Sequence, residues 1–301
     1  MVTCSAPGKI YLFGEHAVVY GESAICCAID IRARITVEEY DSVLIESSLG
    51  STGIDYSIHP YVSEVLDKVY TMSSFEGVKV HVESDIPIGS GLGSSAAVTV
   101  ATLKGLDSLL GLNLSLEDIA SIGHEIEIKV QGAASPTDTY VCTMGGTVML
   151  PQRKHLDLLD CGVVIGNTNI FSSTKELVSN VSTLKNNYPE LILPIFSTIG
   201  KAALRGELLL AEKDYEEVGK LMDINQGLLD SIGVNCSELS RLIYAARDAG
   251  AFGAKITGAG GGGCMVAIAD TDKVDDVSLA ISEAGGVPLV TKSTGQGVRI
   301  E

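Results

Sequence analysis

The spacing of apolar and polar positions changes several times along the chain, and each change marks an element. Val78, Val80 and Val82 alternate with Lys79, His81 and Glu83, which predicts a half-buried strand. Residues 29–39 and 42–48 alternate in the same way, and 2–9 reads as an opening strand. Helical spacing takes over at 60–72, where Val62, Val65, Leu66, Val69 and Tyr70 share one face. Further helices are predicted over 96–110 and from Ser115, the expected cap, through Ile119, Ile122, Ile126 and Val130. Strands follow at 145–150 and 161–165, then helical stretches at about 194–212, 214–232 and 236–249. On the second of these, Leu221, Leu228 and Leu229 are expected in the core, and Asp223, Asn225 and Gln226 in solvent. An apolar strand at 265–269, a helix at 274–284 and strands near 287–292 and 297–300 close the chain. The more polar stretch 151–160 suggests a boundary, giving domains 1–155 and 156–301.

Between the strand ending near Glu83 and the helix starting at Ala96 lies Pro87-Ile88-Gly89-Ser90-Gly91-Leu92-Gly93-Ser94-Ser95. Free amides and the dipole at a helix N-terminus favour an anion, and glycines let the backbone approach it closely. Ser94 and Ser95 are candidate caps, and a spare hydroxyl there can reach a metal ion. The loop lacks the Gly-Lys-Ser/Thr ending of a Walker A loop. A plain glycine turn is the alternative to a phosphate cradle. A second glycine-rich run, Lys255-Ile256-Thr257-Gly258-Ala259-Gly260-Gly261-Gly262-Gly263-Cys264, precedes the strand at 265–269 and permits close approach of another surface.

Charge enters as a constraint on partners. The net charge of −17 argues against nucleic acid and anionic membrane, but leaves room for a phosphate ligand held by backbone amides, a few cations and a divalent metal. The absence of a signal-like start or a long apolar run predicts a cytoplasmic protein. Seven cysteines without a CxxC pair read as reduced, mostly buried residues. With 46% hydrophobic residues and no Trp, the core is expected to be built from Ala, Val, Leu and Ile.

Three charged stretches invite a chemical reading. Lys9, Glu15 and His16 fall within eight residues of an otherwise apolar stretch, so they need either water, as on an ordinary hairpin, or partners. Gln131-Gly132-Ala133-Ala134-Ser135-Pro136-Thr137-Asp138 follows the helix that carries Glu127. Pro136 stops that helix, which puts Asp138 on a loop or at an element start. Taken alone, Asp138 could be a turn residue and Glu127 a solvated helix residue.

Together, the segments 7–21, 87–97 and 255–264 resemble, in order and separation, the three motifs of the GHMP kinase superfamily. This is the group of small-molecule kinases that includes galactokinase, homoserine kinase, mevalonate kinase and phosphomevalonate kinase. Gly14-Glu15-His16-Ala17-Val18-Val19-Tyr20-Gly21 is similar to its mevalonate-acting branch, and the short chain is similar to the compact archaeal type. The resemblance implies an α+β, two-domain GHMP kinase fold. The N-terminal domain would be like ribosomal protein S5 domain 2 and the C-terminal domain ferredoxin-like, with the active site between them. It implies that Pro87, Ile88, Gly89, Ser90, Gly91, Leu92, Gly93, Ser94 and Ser95 wrap the phosphates of the co-substrate ATP, and that Ser95 and Glu127 hold Mg²⁺. Asp138 would be the base or orienting group, with Lys9 beside it. Glu15, His16 and Thr174 would join Lys9 and Asp138 around mevalonate, and the second glycine run would line the phosphate path opposite the first. The implied reaction is ATP-dependent phosphorylation of (R)-mevalonate at its 5-hydroxyl. Phosphomevalonate or another small alcohol or acid as acceptor, and a nucleotide sensor without turnover, stay open, as does the oligomeric state, a homodimer included.

Overall fold

The computed structural model describes residues 1–132 and 135–301. Ala133 and Ala134, read above as part of the stretch before Asp138, lie outside the described residues. The chain begins with β1 (Val2–Phe13), β2 (Ala24–Glu39), β3 (Val43–Ser47), β4 (Gly50–Thr52), α1 (Pro60–Tyr70) and β5 (Val78–Ser84). It continues through α2 (Ser94–Leu110), α3 (Leu116–Gln131), α4 (Pro136–Met144), β6 (Thr147–Leu150) and β7 (Lys154–Leu156). Next come β8 (Gly162–Asn167), α5 (Thr174–Asn187), α6 (Pro189–Glu212), α7 (Tyr215–Ser231) and α8 (Ser237–Asp248). The chain ends with β9 (Gly253–Thr257), β10 (Cys264–Ala269), α9 (Val274–Glu283), β11 (Val287–Thr291) and β12 (Arg299–Ile300).

Two sheets result. The first runs β12-β1-β2-β5-β3-β4, with β6 on β2 and β7 on β6; the second runs β11-β8-β10-β9, all antiparallel. Numbered within itself, the second sheet has the order 4-1-3-2 of a ferredoxin-like layer. The expected α+β class and two-domain organisation are present. The cut placed between 155 and 156 falls inside β7, and the final strand pairs Ile300 with Cys4 and Arg299 with Ser5. The last residues of the segment 156–301 therefore lie in the first sheet.

β1 runs four residues beyond the expected 2–9, because helices cover both its faces and the strand reads as a continuous apolar run. The stretch 7–21 is accordingly no exposed hairpin: β1 gives way at Gly14 to a short 3₁₀ turn, Ala17–Tyr20. α3 carries the expected cap, Ser115 Oγ accepting from Asp118 N–H at 3.1 Å while Asp118 Oδ2 accepts from Ser115 N–H at 3.0 Å. α6 starts at Pro189 and continues through Pro194, earlier than expected. Tyr70 departs from the predicted apolar face of α1, being exposed and stacked on Phe75. Of the three leucines expected in the core on α7, Leu229 is fully buried, Leu228 is half-buried against the same cluster, and Leu221 is half-buried against the other.

Candidate active site

The site starts from β1. A register shift against β2 between Pro7 and Gly8 turns the strand toward the first glycine loop, where Lys9 N–H donates to Leu92 O at 2.8 Å. Lys9 Nζ donates to Gly91 O at 2.9 Å and sits 3.1 Å from Asp138 Oδ2. Its ammonium also lies 4.6 Å from the centre of the Tyr11 ring. Gly93 has φ 76°, and a Cβ there would stand 2.9 Å from Lys9 Cγ, so only glycine lets this lysine pass.

Asp138 occupies the first turn of α4, behind Pro136 at its first position and the Ser135 cap, whose Oγ accepts from Thr137 N–H at 3.3 Å. That end of a helix favours a carboxylate. Tyr11 OH donates to Asp138 Oδ1 at 3.4 Å, so each carboxylate oxygen has a partner. Burial pulls the Lys9 ammonium down, but the Asp138 carboxylate and its hydrogen bond, with smaller help from Cys26 and Cys142, leave the lysine above its usual range. Burial pushes the Tyr11 phenol well above its usual range, leaving it a proton donor.

The first glycine loop edges a cleft of about 1290 Å³, with Ile88, Gly89, Ser90, Gly91, Gly93, Ser94 and Ser95 in its wall. Pro87 and Leu92 are outside that wall. Leu92 is fully buried and contributes its carbonyl to Lys9; Pro87 O accepts the Ser90 hydroxyl at 2.6 Å. Ser94 and Ser95 do not cap α2. The cap is Gly93, without a side-chain bond, so the first amides of the helix remain open to a ligand. The second glycine run packs on the first: a Cβ on Gly258 would meet Gly91 Cα at 2.7 Å, and Cys264 N–H donates to Ser90 O at 3.1 Å.

Ser95 Oγ instead donates to Glu127 Oε1 at 2.8 Å. Glu127 is 3% exposed, not solvated, because α3 turns it inward beneath the loop. Burial, reinforced by the Asp138 carboxylate, pushes Glu127 up to about 8. A buried carboxylate beside a hydroxyl, with no ion pair among the described residues, suits a hard cation. No cluster of three His, Cys, Asp or Glu side chains lies ready for a metal among the described residues.

Glu15 and His16 are buried, against the hairpin alternative, and both line the cleft. His16 Nε2–H donates to Ala259 O at 2.8 Å, and burial holds its imidazole below the usual range, in the neutral form. Glu15 pairs with Lys255 of β9, and Asn225 Nδ2 reaches its other oxygen at 3.4 Å. Thr174 begins α5 behind the Ser173 cap and is exposed at the cleft edge. Asn225 and Gln226 are buried, contrary to expectation, and Asp223 is half-buried. β9 is the edge of its sheet, and its outward amides need acceptors. Gln226 Oε1 accepts from Ile256 N–H at 2.9 Å and Asp223 Oδ1 from Ala254 N–H at 3.0 Å.

Sequence reasoning assigned no role to Tyr11, Lys255 or Arg153. Arg153 lines the cleft with its guanidinium 4.7 Å from the centre of the Tyr140 ring. The signal for Lys255 was available: a lysine amid apolar strand residues at the mouth of a glycine run. Arg153 had none, lying in the polar stretch taken for a boundary.

An open helix N-terminus wrapped by glycines thus lies beside a lysine–aspartate pair in the cleft. Residues 60–146 match the GHMP kinases N terminal domain and residues 207–287 the GHMP kinases C terminal domain. The chain is 42% identical to the mevalonate kinase of Pyrococcus furiosus, covering 100% of this chain and 98% of that one. It is 41% identical to the mevalonate kinase of Archaeoglobus fulgidus, covering 95% and 98%. The solved Methanococcus jannaschii mevalonate kinase superposes with a TM-score of 0.84 at 29% identity, covering 97% and 98%. The L. major mevalonate kinase solved with R-mevalonate does so with 0.84 at 25%, covering 97% and 96%. The chain belongs to the mevalonate kinase family.

Proposed function

We propose that this chain transfers the terminal phosphoryl group of ATP to the 5-hydroxyl of (R)-mevalonate. The observation that carries the reading is the Lys9–Asp138 pair, 3.1 Å apart at the glycine loop and open to the cleft on the Asp138 side. Phosphoryl transfer needs positioning and neutralised oxygens more than covalent help. The open amides at the start of α2 receive phosphate oxygens, and Lys9 supplies a cation that Asp138 holds charged against its burial. Asp138 orients the acceptor hydroxyl and takes its proton as the bond to phosphorus forms. Its oxygens are engaged by Lys9 and Tyr11, and a carboxylate draws an alcohol's proton only as the bond to phosphorus forms, so the proton moves late. Ser95 and Glu127 would hold Mg²⁺, which supplies charge neutralisation on the phosphates. Arg153 and Lys175 also line the cleft, and the Arg153 guanidinium suits the carboxylate of the acceptor.

A coupled ADP-release assay on mevalonate, phosphomevalonate, homoserine and galactose tests this. Turnover is expected on mevalonate. Turnover restricted to another acceptor, or none from folded protein, overturns it.

A further inference from the structure

Three carboxylates line the cleft: Glu15, Glu127 and Asp138. By the reading above, the acceptor brings another negative charge and the nucleotide several more. Each wall carboxylate therefore has to be compensated where it stands. Lys9 compensates Asp138, and Glu127 sits at the cation position. Glu15 is left, and its compensation comes from behind the wall.

Lys255 is fully buried and does not itself line the cleft. Its ammonium donates to Glu15 Oε1 and to Ile256 O. The arrangement is built rather than incidental. Alternate residues of the β9 segment cross to the first domain: Lys255 to Glu15, Thr257 Oγ1 accepting from Tyr11 N–H at 2.9 Å, and Ala259 O accepting from His16. α7 fixes the other side of β9 through Gln226 and Asp223, packing so closely that a Cβ on Gly219 would stand 2.1 Å from Phe252 O. From the same helix Asn225, fully buried, reaches the second oxygen of Glu15, and its own Oδ1 has no partner among the described residues. Lys255 thus holds Glu15 against rigid strand backbone, with an amide at its flank.

We propose that Lys255 is a positioning and specificity residue for the acceptor: it fixes and neutralises the Glu15 carboxylate in the cleft wall, so that an acceptor carrying its own carboxylate can bind beside it. Without Lys255 the wall would present an uncompensated, loosely held carboxylate to an anionic substrate. The affected quantity is acceptor binding, since Lys255 bonds to Glu15 and to Ile256 O and to neither Asp138 nor the phosphate loop.

The proposal rests on mevalonate being the acceptor, and the test separates the two. Steady-state kinetics and unfolding midpoints are measured for the wild type, Lys255→Met, Lys255→Gln and the double variant Glu15→Gln/Lys255→Met. Both single variants are expected to raise KM for mevalonate at least about tenfold, as loss of one partner of a buried pair does. The kcat should stay within about threefold and KM for ATP within about twofold. The double variant, which removes both charges, is expected to recover most of the lost affinity. Lys255→Gln keeps a hydrogen-bonding group in place, so it carries the test if Lys255→Met proves too unstable. An unmoved mevalonate KM in the single variants, an equal rise in both substrates' KM, or a double variant no better than the singles overturns the proposal. Failure of the wild type to use mevalonate overturns the functional reading and this proposal with it. Wild-type turnover with an unmoved KM in the variants overturns the proposal alone.

Discussion

Lys9 and Lys255 are both buried lysines paired with a carboxylate, one on β1 of the first domain and one on β9 of the second. Lys9 faces Asp138, whose side chain is 28% exposed; Lys255 faces Glu15, whose side chain is 1% exposed. The protonation preferences run in opposite directions. Lys9 is held above its usual range. Burial pushes Lys255 down and Glu15 up, so that pair is drawn toward sharing its proton. The partners are chemically alike, and water makes the difference. An ionised carboxylate that keeps some solvent stabilises the lysine cation at little desolvation cost, whereas a pair fully removed from water loses hydration on both sides. Asp138 is thereby left accessible, as a group that meets substrate must be. Glu15 is left fixed and neutralised, as a wall must be.

The sharpest way to break this contrast is to change the accessible carboxylate. Asp138→Asn is expected to lower kcat at least about 10²-fold while ATP binding stays near wild type. Turnover close to wild type would remove Asp138 from the reaction and leave the two pairs functionally alike.

Stability should order the lysines the other way. Lys255→Met strands a buried carboxylate and is expected to cost about 3 kcal/mol. Lys9→Met leaves a carboxylate that water can reach, and is expected to cost about 1 kcal/mol while slowing turnover far more. Urea unfolding of the two variants decides it, and equal losses would show that exposure of the partner does not set the difference.

A smaller effect is expected at the third cleft carboxylate. Ser95→Ala should raise the Mg²⁺ concentration for half-maximal rate by about tenfold, by removing the hydroxyl that with Glu127 would hold the metal. An unchanged metal titration counts against that pairing.

The smallest effect concerns a buried group outside both pairs. His59 lies between the Ser47 hydroxyl at 2.9 Å and the Thr52 hydroxyl at 2.8 Å, and burial holds it below the usual range. A lowered folded value means the unfolded chain takes up the proton first. Its contribution is therefore complete above the ordinary histidine range near 6.5 and declines as pH falls through it. The stability of the wild type relative to His59→Gln should fall between pH 7.5 and 5.5; a constant difference, read from urea unfolding at both values, would contradict this.

Most of the frame was legible from spacing. The alternation of Val78, Val80 and Val82 gave β5, the periodicity after Ser115 gave α3 with its capping box, and Pro136 put Asp138 at a helix start. Local rules suffice there because caps, prolines and periodicity act within a few residues. Glu127, Asn225 and Gln226 defeated those rules, since each is a polar helix residue whose burial depends on what packs over it. Gln226 and Asp223 face the edge of β9, which lies about thirty residues further along the chain, and Asn225 faces Glu15, two hundred residues back. Ser94 and Ser95 failed as caps for a related reason: a distant carboxylate took the Ser95 hydroxyl, and Gly93 took the cap. All seven cysteines are free, as read from their surroundings, and burial pushes Cys4 up to about 11 and Cys27 and Cys264 up to about 12. Among the described residues no helix is long and apolar enough to cross a membrane.

The amino-acid sequence by itself determined the elements, the two glycine-rich turns and the few residue types able to handle phosphate, because these follow from backbone freedom and from periodicities of two and 3.6. Tertiary structure alone decided which charges meet and how much water each keeps. Solvation depends on the whole surrounding shell of atoms, and that shell is assembled here from β1, α3, α4, α7 and β9, elements scattered along the entire chain.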